Sequence, residues 1–176
     1  KNFIHGLVTQ LIQKTGNGLT LDISALTNKG LPYTYISNHR DIILDSALLD
    51  ILLIDAEFPQ TVEIAIGDNL LVYPWIKHLV RLNKAFIVQR SLSLREMLAA
   101  SKLMSQYMHF VITQKKNPIW IAQREGRAKD GNDRTQEAVL KMIAMEGEGT
   151  AAERLMAMHI VPLSISYEFD PCDFLK

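Results

Sequence analysis

The chain has 176 residues, 48% of them hydrophobic and 22% charged, with 19 basic side chains against 19 acidic ones. That length suits a single domain with a substantial core, and a formal net charge of zero excludes a general polyanion-binding surface, so nucleic acid is not an expected partner. One cysteine, Cys172, excludes an intrachain disulfide and any multi-cysteine metal site, and no apolar run approaches a membrane span.

Phe3, Ile4, Leu7, Val8, Leu11 and Ile12 recur at helical spacing before the breaker TGNG. YTYIS (33–37) is β-branched and aromatic and predicts a strand, and residues 42–54 predict a strongly apolar helix. VEIAI (62–66) is a second strand, stopped by GDN. A helix follows over 70–82, despite Pro74, and AFIVQ (85–89) is a third strand. Ser93 and Glu96 form a capping-box pattern, opening a helix toward Thr113. PIWIAQ (118–123) is a fourth strand and leads into the loop REGRAKDGND. Helices near 134–146 and 150–158 precede the last strand, IVPLSISYE (160–168).

Strands alternating with helices of this length predict an α/β fold. The expectation is one three-layer domain, its sheet mostly parallel or mixed, with helices on both faces. The last apolar segment runs almost to the terminus, so residues 1–176 read as a portion of a longer chain.

Ligands of such sheets bind beyond the carboxyl ends of the strands. Three polar clusters fall there: SNHRD after the first strand, QRS after the third and QREGRAKDG after the fourth. In the first, His39 precedes a helix that is apolar almost throughout, yet that helix contains Asp45. A carboxylate held against a core needs a partner. If the helix began at His39, the six-residue step would turn through ~240°, putting the two side chains on different faces. His39 is therefore expected in the strand-to-helix turn, folded back toward Asp45, with Asp41 as N-cap. A His–Asp pair would fix the imidazole tautomer and let the other nitrogen take a proton from a hydroxyl. The plain alternative is a histidine and two aspartates that merely cap the helix, and spacing by itself favours it.

Arg90 ends the third strand with a guanidinium suited to phosphate or carboxylate. The loop after the fourth strand gathers Arg124, Arg127, Lys129 and Arg134 around two glycines and Glu125, which suits an anion or, equally, plain solvation. No Walker A pattern, dinucleotide fingerprint or G-x-S-x-G elbow is present. His5, His78, His109 and His159 lack metal-ligand spacing, so no metal is expected. Tyr73, Trp75, Lys77, His78, Arg81 and Lys84 on the 70–84 segment would suit a membrane interface. An ordinary helix packed on the sheet is the preferred reading there.

Taken in order, these clusters resemble the glycerolipid acyltransferase family, the glycerol-3-phosphate and lysophosphatidic acid acyltransferases. The likeness covers about 36–166. Asn38, His39, Arg40 and Asp45 match its first motif, and Phe86, Ile87, Val88 and Arg90 its second. Glu125, Gly126 and Arg127 match the third, and Val161 with Pro162 the fourth. Two departures stand out. Five residues separate His39 from Asp45 where the family usually has four, and Arg127 follows Gly126 directly where a residue commonly intervenes.

The resemblance implies an acyltransferase domain that moves a fatty acyl group from acyl-coenzyme A or acyl carrier protein to a hydroxyl of glycerol phosphate or a lysophospholipid. His39 would be the general base and Asp45 its partner. Arg40, Arg90, Glu125, Gly126 and Arg127 would bind the acceptor and its phosphate. No cofactor beyond the acyl thioester co-substrate is implied. The expected location is cytoplasmic, peripheral at the inner membrane surface. Two alternatives remain: transfer to another lipid acceptor, or a non-catalytic lipid-binding or scaffold domain of the same fold. Side chains of His39 and Asp45 lying far apart would favour the scaffold.

Overall fold

A computed structural model describes residues 2–90, 92–128 and 132–169; Lys129 and Cys172, singled out in the sequence, lie outside them. Strands β1 (Thr34–Ser37), β2 (Glu63–Gly67), β3 (Ala85–Val88), β4 (Ile119–Ala122) and β5 (Ile160–Leu163) form one sheet in the order β3-β2-β4-β1-β5. Every pairing is parallel, which settles the choice between a parallel and a mixed sheet.

Parallel neighbours need long crossovers, and here helices supply them. Helix α1 (Asn2–Thr15) precedes the sheet, α2 (Leu44–Asp55) joins β1 to β2, and α3 (Pro74–Leu82) joins β2 to β3. Helix α4 (Leu94–Phe110) joins β3 to β4, and α5 (Glu137–Ile143) with α6 (Ala151–Ala157) joins β4 to β5. Alternation along the strands sorts the core into two layers. Tyr35, Ile64 and Trp120 meet Leu49 and Leu53 of α2 on one face. Ile36, Phe86 and Ile121 meet Met108 of α4 and Ile143 of α5 on the other. Helix α1 adds Val8 against Leu48 and Ile51 of α2. Each such side chain contributes about 1.5–3 kcal/mol when fully buried.

Helix ends follow local chemistry. Ser93 and Glu96 make the expected capping box on α4, and Thr150 and Glu153 make a second on α6. Glu57, Lys84, Lys116 and His159 each take a positive φ just beyond a helical segment, turning the chain toward the next strand.

Three elements differ from the sequence expectation. The helix over 70–82 is a 3₁₀ turn at Asp68–Leu70 followed by α3, because Pro74, lacking an N–H, serves as a first helical residue rather than an interior one. Helix α5 begins only at Glu137, since Gln136 is drawn back to the β4 loop: its N–H donates to the Gln123 carbonyl at 2.9 Å. Strand β5 stops at Leu163 because Asn38 takes both backbone groups of Ile165. Its Nδ2 donates to the Ile165 carbonyl and its Oδ1 accepts from the Ile165 N–H, both at 2.7 Å.

Helix α3 also departs from an ordinary sheet-packed helix. None of its residues is fully buried; Ile76 and Val80 are half-buried, while Trp75, Leu79 and Leu82 are exposed. Beneath it lies the edge strand β3, which covers less of a helix than the centre of a sheet does.

Candidate active site

Neighbouring strands β1 and β4 send their following helices to opposite faces, α2 to one and α5 to the other. Such a divergence opens a crevice beyond the carboxyl ends of the two strands. His39 follows β1 and Arg124–Arg127 follow β4, so both loops border it.

Between those loops His39 folds back on Asp45: Nδ1 lies 2.8 Å from the carboxylate Oδ2. The same oxygen accepts the backbone N–H groups of Arg40 at 2.7 Å and Asp41 at 3.1 Å. The other oxygen, Oδ1, accepts the Tyr167 hydroxyl at 2.8 Å. Asp45 is only 1% exposed. Burial pushes its carboxyl up, but the hydrogen bonds from His39, Tyr167, Arg40 and Asp41 outweigh that and hold it below the usual carboxylate range. Tyr167 is pushed up, first by its own burial and then by its bond to Asp45.

An ionised carboxylate can only accept, so in a neutral imidazole the shared proton would lie on Nδ1 and the lone pair on Nε2. Trp120 supports the ring edge-on at 5.6 Å, its own indole N–H donating to Ser37 Oγ at 2.9 Å. Asp41 caps the turn leading into α2, accepting from the N–H groups of Ile43 at 2.9 Å and Leu44 at 2.8 Å. The five intervening residues therefore form a capped turn that delivers Asp45 to His39, so the extra residue separates nothing.

The β4 loop is fastened to the histidine turn. Ala128 donates its N–H to the His39 carbonyl at 2.9 Å, and Asp133 Oδ2 accepts the His39 N–H at 3.0 Å. This puts Arg127, exposed, next in chain to a residue that touches His39. Gly126 has φ 72°, a left-handed turn that a side chain would strain. Arg90 lies across the end of β2, and its Nη1 is 3.9 Å from Glu125 Oε1. That loose, part-exposed pair contributes little stability. Arg40 is half-buried beside its N–H contact to Asp45. Arg124 donates to the Asn132 carbonyl at 2.9 Å, spanning the base of its own loop rather than facing an anion.

Several contributors escaped the sequence. Tyr167 completes the Asp45 shell from 122 residues away, with no local signal. Asp133 stood in the noted loop but without a role. Gly67 is the clearest: a Cβ there would lie 2.5 Å from Arg90 Nε and 2.4 Å from Asn69 Oδ1, so glycine lets the guanidinium rest on the strand end. The stop GDN marked the turn but not that approach. An apolar groove of about 450 Å³ lies elsewhere, between β3 and α4, lined by Phe86, Ile87, Met97, Leu103, Met104 and Tyr107 among others. It reaches Gln89 at the same end of the sheet, three strands from β1. Among the described residues no group of three or more His, Cys, Asp or Glu side chains could hold a metal ion, and no helix is long and apolar enough to cross a membrane.

A parallel α/β sheet with a histidine–carboxylate pair at its switch point is a framework that suits group-transfer and hydrolytic chemistry. The family comparison narrows this: the Acyltransferase family model matches residues 21–166, and the chain belongs to that family, the glycerolipid acyltransferases. It is thus an enzyme that transfers acyl groups. No curated protein and no solved structure matched the chain.

Proposed function

We propose that this acyltransferase moves a fatty acyl group from an acyl thioester, of coenzyme A or acyl carrier protein, to a hydroxyl of glycerol phosphate or a lysophospholipid at a membrane surface. The observation that carries the reading is the 2.8 Å contact between His39 Nδ1 and the buried Asp45 carboxylate. Nε2 takes the proton of the acceptor hydroxyl as its oxygen attacks the thioester carbonyl carbon. The imidazolium that forms is stabilised by the Asp45 charge. The tetrahedral intermediate collapses, the C–S bond breaks, and the departing sulfur takes the proton back from Nε2. The ester and a free thiol are the products, with no covalent enzyme intermediate.

Arg90, Arg127 and Arg40, with Gly126 permitting a tight turn and Glu125 steadying Arg90, would bind the acceptor phosphate. Guanidinium groups match its oxygens in pairs. The apolar lining of the β3–α4 groove supports a long alkyl substituent on one of the two substrates.

Thiol release from acyl-coenzyme A and from acyl carrier protein, each with and without glycerol phosphate or lysophosphatidate, tests the reading in wild type and His39→Ala. Acceptor-dependent release is expected to fall by roughly 10²–10⁴-fold in the variant, with circular dichroism unchanged. Full activity in His39→Ala would end the assignment of His39 as base.

A further inference from the structure

Charge is evenly balanced along most of the chain but not between Asn69 and Arg95. That stretch holds no Asp or Glu, yet carries Lys77, Arg81, Lys84, Arg90 and Arg95, in a protein whose totals are equal at 19 and 19. Exposed apolar surface is concentrated in nearly the same place. Ten of the twenty large apolar side chains exposed among the described residues lie between Val72 and Leu103. On α3, Trp75, Leu79 and Leu82 are spaced four and three apart and so share a face, while Lys77 and Arg81 share another. Tyr73, just before the helix, is 58% exposed and Trp75 is 62% exposed. The apolar set continues through Ile87 on the sheet-edge strand β3 to Leu94 and Leu98 at the start of α4.

We infer that α3, the edge strand β3 and the first turns of α4 form a docking face for an anionic lipid surface. An aromatic pair beside an exposed aliphatic stripe, flanked by Lys77, Arg81 and Arg95 with Glu96 as the one acidic side chain between Asn69 and Leu103, has the chemistry of the headgroup boundary: rings and chains enter the apolar side, and ammonium and guanidinium groups meet phosphate. The apolar residues come from three separate elements rather than one cleft. A fluid bilayer accepts such a discontinuous set, whereas a protein partner would need a matching shape. The face adjoins the β3–α4 groove, whose walls include Ile87, Met97 and Leu103 of the same set. A lipid chain leaving the bilayer at Ile87, Met97 or Leu103 would meet the apolar wall of that groove. The assignment rests on the acyl-transfer reading for its purpose, but its test reads binding rather than turnover.

The full chain is sedimented with phosphatidylcholine vesicles, with and without phosphatidylglycerol, while tryptophan emission is recorded. Trp120 is buried, 3% exposed, so a change in emission reports Trp75. Wild type is expected to sediment with the anionic vesicles only, with blue-shifted emission, and to be released by salt. Lys77→Glu with Arg81→Glu, and separately Trp75→Ser with Leu82→Ser, are each expected to weaken vesicle binding by about tenfold or more. Both double variants should still transfer acyl groups to water-soluble glycerol phosphate as wild type does.

Wild type that ignores anionic vesicles overturns the inference, as does binding that survives both double variants. Binding to free acyl carrier protein through Lys77 and Arg81, with vesicles left unbound, assigns the face to an acidic protein instead and overturns it too. Vesicle binding by a chain that transfers nothing sustains the docking face and sinks the acyl-transfer reading. Transfer without vesicle binding does the reverse.

Discussion

Asp45 and Glu63 are each about 1% exposed and sit near opposite ends of the sheet, Asp45 beyond the carboxyl end of β1 and Glu63 at the amino end of β2. Both are carboxylates surrounded by donors, and both include a tyrosine hydroxyl in that shell. Glu63 takes Lys115 Nζ at 2.5 Å, Asn117 Nδ2 at 2.9 Å and the Tyr107 hydroxyl at 2.7 Å. Burial pushes its carboxyl up, but these partners more than compensate and hold it low, while the bond to Glu63 raises Lys115. The charges cancel, and the cluster ties β2 to the segment after α4. Around Asp45 the named partners include no lysine or arginine side chain: they are an imidazole, a phenol and two backbone N–H groups. In the proposed mechanism the Asp45 charge is kept for the moment when His39 takes a proton. On that proposal two carboxylates buried to the same depth serve different ends, and the partners around each decide which.

The largest effect should come from removing that partner charge. Lys115→Met leaves Glu63 buried among neutral donors, and denaturant unfolding should show a loss of ~3 kcal/mol, the low end for a broken buried pair because Lys115 is itself part-exposed. The matching deletion at the other end, His39→Ala, should cost only the ~1–2 kcal/mol of one hydrogen bond to a charged group. Equal losses in the two variants would break the comparison.

Next comes Asp45→Asn, which keeps the shape but removes the charge. Thiol-release assays should show transfer reduced by about 10²-fold or more, whereas Glu63→Gln should alter stability and leave the per-molecule rate near wild type.

The two carboxylates should also share an acid limit. Each is held below its ordinary value in the fold, so the native state favours the charged form. Their stabilisation is complete above the ordinary carboxylate range near pH ~4. It is lost as pH falls from there through the lowered folded values. Stability measured against pH should therefore drop on the acid side, and the drop should be shallower in Asp45→Asn and in Glu63→Gln.

The smallest effect belongs to Tyr167→Phe, which removes one donor to Asp45 and should cost about 1–2 kcal/mol of stability with a modest fall in rate. A rate loss as large as that of Asp45→Asn would assign the tyrosine a share in the chemistry.

Much of this was legible in the chain. Period-two and helical patterns located all five strands and the connecting helices, because each pattern is set by local geometry. The turn between β1 and α2 was readable as one of two alternatives, since a carboxylate among leucines needs a nearby donor and His39 was close in sequence. Plain capping stood beside it until the structure showed the contact. The boundaries that failed were those where a distant side chain intervened. Asn38 ends β5 by bonding Ile165, and Gln123 with Gln136 delays α5. The reading of 70–84 as a plain packed helix failed for a related reason. Periodicity shows that a helix has an apolar face but not how much neighbouring surface there is to cover it.

By itself, then, the sequence determined the α/β class and the order of its elements, and it raised the His39–Asp45 pairing without deciding it. Those rest on interactions spanning a turn or two of chain. Only the tertiary structure decided the strand order β3-β2-β4-β1-β5, the divergence of the helices that follow β1 and β4, the arrival of Tyr167 at Asp45 and the exposure of α3. Each of these depends on which distant segments pack together, and no local pattern of residues encodes that.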